Sequence, residues 1–179
     1  MTIWHDARAR TAAVLTDLLG FREARDDAGL WRYTAQDGAP GTIVDVREAR
    51  EMPRGLMGGG TVHHVAWRVA DQEAQLALRA GIEAAGLAPT ASIDRRYFRS
   101  VYFHEPGGVL FELATDPPGF TFDETLEELG GGLKLPVWLE GSRSRIEASL
   151  APLTPVRLAA ASSANERSEE RRVGKECRL

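Results

Sequence analysis

Cysteine is nearly absent: Cys177 is the only one in 179 residues. A lone thiol closes no internal disulfide, so a stapled scaffold and a Cys-rich zinc module are both excluded. Excess charge of one sign is also lacking. The 22 Lys and Arg against 26 Asp and Glu leave a net charge of −4. That is too mild for a nucleic-acid binder, and no Lys/Arg stripe argues otherwise. Apolar runs such as Ala12-Ala13-Val14-Leu15 fall far short of the ~20 residues a membrane span needs. The opening Met1-Thr2-Ile3-Trp4-His5-Asp6 has no basic region followed by an apolar stretch. No secretory signal is therefore expected, and a cytoplasmic location is. What remains is 43% hydrophobic and 27% charged, the balance of a soluble globular chain. At roughly 150 residues per domain the length corresponds to about 1.2 domains.

Residues 159–179 read as a disordered tail. Within it, residues 167–177, RSEERRVGKEC, resemble the in-frame translation of a common sequencing adapter. A charged natural tail is the alternative. On either reading the segment carries no function, and Cys177 goes with it.

The body of the chain repeats itself. Asp6 to Gly20 places Val14 and Leu18, and Leu15 and Leu19, four residues apart on one helical face. Asp71 to Gly86 repeats the design with Leu78, Ile82 and Ala85 as its stripe, and each helix lies between an Asp N-cap and a Gly stop. A strand-like run precedes each, Thr2–Trp4 and Val65–Val69. Extended segments follow: Phe21–Ala24, Leu30–Tyr33 and Thr42–Val46 in the first half, Pro89–Ile93, Tyr97–Phe103 and Val109–Ala114 in the second. Both halves read β-α-β-β-β, an α+β fold of two paired modules forming a cupped, half-open barrel with helices outside. The expected boundaries are 1–50, a Gly/Pro-rich linker over 51–60, 61–119, and a C-terminal extension over 120–158. In the extension, Asp123–Leu129 suggests a short acidic helix, and Ser142–Leu150 an amphipathic one. Setting Trp4 against Trp67 puts Met1 opposite His64, and Asp45 falls opposite Glu112.

The chemistry concentrates in His63-His64-Val65-Ala66-Trp67-Arg68-Val69 and in Gly107-Gly108-Val109-Leu110-Phe111-Glu112-Leu113. Alternate strand residues share a face. Val65, Trp67 and Val69 form one apolar face, so His64, Ala66 and Arg68 point into the cup. Val109, Phe111 and Leu113 pack, so Leu110, Glu112 and Ala114 point into the cup as well. A carboxylate set among Phe, Leu and Val is costly to bury unless it is paired or binds a cation. Two readings stay open at this point. Glu112 either joins His64, or its neighbour His63, around a metal, or it pairs with one of Arg68, Arg95, Arg96 and Arg99.

The strings TVHHVAWRV and DRRYFRSVYFHEPGGVLFELATDPPGF, with the module pattern, resemble the vicinal oxygen chelate superfamily, which includes glyoxalases, bleomycin-resistance proteins and dioxygenases. Within it they are similar to the extradiol-type ring-cleaving dioxygenases that act on hydroquinones. The resemblance spans about residues 1–150. It implies Fe(II), with Mn(II) as the alternative ion, in a facial set of two histidines and one carboxylate that leaves positions for an aromatic substrate and O2. By resemblance His64 and Glu112 are metal ligands, His63 an acid/base residue beside them, and Tyr102 and Arg95 the tyrosine and arginine that attend the bound oxygens. The second histidine ligand comes, in this family, from an N-terminal domain. The chain is then expected to be a C-terminal portion, inactive alone, with that domain as its missing partner and self-association through the exposed interface. Asp45 is read as structural, and His5 and His104 as ordinary surface or loop residues. The rival functions are a glyoxalase-type isomerase or thiol transferase that consumes no oxygen, and a metal-free small-molecule-binding module of the resistance type.

Overall fold

A computed structural model describes residues 1–151 other than 7, 36, 37, 39, 40, 50, 51 and 54. The tail, the adapter-like string and the last residues of the 120–158 extension lie outside the described residues. The chain divides into two compact units, Met1–Leu133 and Lys134–Leu179.

The first unit holds both modules. In the first, β1 (Thr2–His5) leads to α1 (Arg8–Ala13), which continues as a π-helical turn over Val14–Leu18. Then come β2 (Arg22–Asp27), β3 (Leu30–Thr34) and β4 (Ile43–Glu48). In the second, β5 (Val65–Val69) leads to α2 (Gln72–Ala84), then β6 (Ile93–Asp94), β7 (Arg99–His104) and β8 (Leu110–Thr115). Each module makes a four-stranded mixed sheet, ordered β1-β4-β3-β2 and β5-β8-β7-β6. The first and last strands of each module pair in parallel, and the rest of each sheet is antiparallel. This is the expected α+β repeat of two βαβββ modules with cupped sheets.

Local chemistry explains the elements. The Asp71 carboxylate accepts from the Ala74 N–H at 2.8 Å, capping α2. Gly86, at φ +79°, takes the left-handed conformation that ends it. Ile82 is buried and Leu78 half-buried, but Ala85 is exposed, so the apolar stripe runs through Ala74, Leu78 and Ile82. Pro89–Ile93 forms no strand over most of its length, and the ladder begins only at Ile93. The sequence-based strands otherwise stand, with ends shifted by one to three residues.

One alignment needs correcting. In the parallel ladders Thr2 lies opposite Asp45, and Ala66 opposite Glu112. With Asp45 and Glu112 equivalent, Thr2 therefore matches Ala66, and Ile3, not Trp4, matches Trp67. Burial agrees: Ile3 is 4% exposed and Trp4 52%. A strand alternates sides at every residue, so a one-residue offset exchanges core and surface. The identity of two tryptophans hid that offset.

The modules meet through the helix and first turn of the first one. Phe21 meets Trp67 edge to face at 5.2 Å, and Trp67 meets Phe111 the same way at 5.2 Å. Trp67 thus packs between the modules as well as within its own. The buried Thr11 hydroxyl donates to the buried Glu105 carboxylate of the second module. Val14, Leu15 and Phe21 join Phe103, Phe111 and Leu113 in one core.

The acidic helix expected over Asp123–Leu129 does not form. A 3-10 turn at Phe120–Phe122 gives way to irregular turns. Leu126 and Leu129 are exposed, so no buried apolar face offsets the cost of starting a helix. The second unit contains a 3-10 segment, Val137–Ser142, and α3, Arg143–Ser149, close to the expected last helix. Among the described residues no helix is long and apolar enough to cross a membrane.

Candidate metal centre

The site is built on the pairing of β5 with β8. His64 stands one residue before β5 and two before Ala66, on the same face. Ala66 lies opposite Glu112. His64 Nε2 and Glu112 Oε2 are 2.8 Å apart. Glu112 is 3% exposed, whereas about a third of the His64 side chain faces solvent. Next door on β7, Tyr102 lies directly opposite Glu112, and its ring meets the His64 imidazole edge to face at 5.8 Å.

Arg95 reaches this group from the β6–β7 turn. Its Nη2 donates to the Tyr102 hydroxyl at 3.4 Å, and its guanidinium stands 5.6 Å from the Tyr102 ring centre. His63 lies on the solvent side, its Nδ1 2.8 Å from His64 Nδ1. Two ring nitrogens at that distance share one proton, so one imidazole donates to the other. All five residues singled out from the sequence, His63, His64, Arg95, Tyr102 and Glu112, are therefore neighbours.

The arginine alternative for Glu112 is not what the structure shows. Arg68 pairs with Asp116 at 2.9 Å, an ion pair that raises the Arg68 pKa through the hydrogen bond first and the charge second. Arg96 pairs with Asp123, and Arg99 bonds Ser92 and approaches Asp94. Glu112 is held by His64 and by Ser100, whose hydroxyl donates to Glu112 Oε1. Sequence reasoning passed over Ser100, although it sits two residues before Tyr102 on the same face of β7. His104 stays apart, its Nδ1 3.2 Å from the Gly108 carbonyl oxygen.

The donor set suits a small divalent cation. His64 Nε2 and Glu112 Oε2 meet directly at 2.8 Å, the distance of a hydrogen-bonded ion pair, and both are atom types that ligate divalent metals. Imidazole with carboxylate is also the mixture preferred by non-haem iron. Among the described residues no group of three or more His, Cys, Asp or Glu is placed to hold a metal ion together.

The first module carries a different pair at the same place. Asp45 accepts from Arg32 Nε at 2.7 Å and Nη2 at 2.8 Å. Arg32 lies opposite Asp45 as Tyr102 lies opposite Glu112. That bidentate bond is the main cause of a lowered Asp45 pKa.

Known proteins share this framework. The sequence is 41% identical over 151 residues to MhqO of Bacillus subtilis strain 168, named as a ring-cleaving dioxygenase, covering 84% of this chain and 48% of that one. It is 39% identical over 125 residues to the chlorohydroquinone/hydroquinone 1,2-dioxygenase of Sphingobium indicum, covering 67% of this chain and 38% of that one. The chain thus spans about half the length, or less, of these relatives. A crystal structure from Bacillus subtilis, described as a dioxygenase, superposes with a TM-score of 0.77 at 40% identity, over 86% of this chain and 49% of that one. The profile of one superfamily matches residues 3–122, and on that match, with the paired βαβββ modules behind it, the chain belongs to the Glyoxalase/Bleomycin resistance protein/Dioxygenase superfamily.

Proposed function

We propose that this chain carries part of the active site of a ring-cleaving dioxygenase that uses Fe(II) and O2 on a hydroquinone-like aromatic. The convergence of His64 Nε2 on Glu112 Oε2 at 2.8 Å, in a superfamily whose relatives are named for this reaction, carries the reading. His64 and Glu112 would hold the ion. Fe(II) bound there would supply the redox chemistry that joins dioxygen to an electron-rich ring.

The protein's own groups do the rest. Arg95 offers a permanent cation beside Tyr102 and favours the deprotonated hydroxyl of the substrate. The Tyr102 phenol, 3.4 Å from Arg95, donates to or accepts from an oxygen next to His64. Through its bond to His64 Nδ1, His63 would hold a proton on that nitrogen once an ion takes Nε2. Its own exposure opens a path for that proton to solvent.

Two protein donors are one short of the facial set that iron dioxygenases use. We infer that full activity requires a third donor from elsewhere in a longer protein, and that this chain alone holds iron weakly. Chemical rescue tests both statements. With Fe(II) and hydroquinone, the chain should consume little oxygen. Added imidazole should raise oxygen uptake and ring-opened product together, and Glu112→Ala should abolish both. Glu112-dependent turnover of a hydroquinone isomer without oxygen consumption would instead point to an isomerase. Full activity without added donor would refute the two-ligand reading.

A further inference from the structure

We propose that Ser100 is a positioning residue that ties up one oxygen of Glu112, so that a cation at this site is held through Oε2 alone. The inference rests on the metal reading above and adds to it the mode of ligation.

Ser100 is completely buried, and Glu112 nearly so. The two oxygens of Glu112 have different surroundings. Oε1 accepts the Ser100 hydroxyl within the sheet, while Oε2 faces His64 Nε2. A carboxylate can only accept and a serine hydroxyl must then donate, so the bond has one direction. Placement favours it too. Ser100 lies opposite Ala114 and Tyr102 opposite Glu112, so the hydroxyl reaches diagonally past a methyl group that offers no competing acceptor.

The consequence is chemical. A chelating carboxylate takes two coordination positions and a single oxygen takes one. Holding Oε1 back leaves one more position for substrate or dioxygen. It also fixes the plane of the carboxylate, so that Oε2 points toward His64 before any ion arrives.

Cobalt(II) in the full chain tests this without turnover. Its visible absorption weakens as coordination number rises, so it reports the ligation mode directly. Ser100→Ala should weaken the absorption of the bound ion and reduce its affinity about 10-fold. Ser100→Thr, which keeps the hydroxyl, should restore the wild-type spectrum and stay within about 2-fold of its affinity. An unchanged spectrum and affinity in Ser100→Ala would overturn the proposal, even if that variant melts earlier, because a merely structural serine moves stability alone. Glu112→Gln separates the two levels. If cobalt binding is absent, or is indifferent to Glu112→Gln, the metal reading itself fails and the role of Ser100 falls with it.

Discussion

The two modules run the same strand order and end on an acidic residue at the same place in the sheet, yet they use it in opposite ways. In the first, Asp45 is neutralised by Arg32, across the ladder on β3, through two parallel hydrogen bonds. In the second, the residue across the ladder is Tyr102, which has no charge to give. Glu112 turns instead to His64 and Ser100. A built-in guanidinium closes one site, and a phenol across the ladder leaves the other carboxylate to a histidine and a serine. The lesson is that the partner across the ladder, as much as the acid itself, decides whether a sheet carboxylate is structural or available.

The helices diverge in parallel. Thr11 and Gln75 are each the fourth residue of their helix, and both are fully buried. Gln75 ties α2 to its own sheet, donating to the carbonyls of Arg99 and Leu113 at 2.8 Å each and accepting from Ser92 at 2.7 Å. Thr11 ties the first module to Glu105 of the second. The largest effect is therefore expected from Gln75→Ala, which strands the buried Leu113 carbonyl, next to Glu112 on β8, and the part-buried Arg99 carbonyl on β7, and costs about 3 kcal/mol. Urea unfolding would measure it. Thr11→Val should cost about 1–2 kcal/mol, since Glu105 keeps the Val109 N–H at 2.9 Å but loses its hydroxyl. A cost equal to that of Gln75→Ala would break the distinction between a lock within a module and a tie between modules.

Asp45→Asn should have the smallest effect, and it sharpens the comparison through pH. The Arg32 hydrogen bonds depress the Asp45 pKa below its ordinary 3.8. A depressed acid stabilises the fold above the unfolded value, and that contribution fades as pH falls through the folded value. Wild type should thus melt above Asp45→Asn at neutral pH, with the gap closing in acid. A gap that widens on acidification would contradict the pairing.

Much of this was legible in the sequence because it depends on local rules. Asp71 and Gly86 bracket α2 as caps must, and the alternation in β5 and β8 placed His64 and Glu112 on one face. The errors arose where neighbours in space decide. Trp4 looked like the partner of Trp67 until the ladder register moved it by one. Ser100 carries no sequence signature, because a buried serine matters only through the carboxylate it meets diagonally. Gln75 reads as an ordinary helix polar residue until the carbonyls beneath it are known. The acidic segment 123–129 had helical composition but nothing to pack against.

The most direct test of the central claim is anaerobic equilibrium dialysis of the full chain against Fe(II), comparing wild type with His64→Ala, His63→Ala and Glu112→Ala. Expected is weak binding of one ion per chain, lost in His64→Ala and Glu112→Ala and retained in His63→Ala. Iron bound as well by His64→Ala or Glu112→Ala as by wild type would contradict the site.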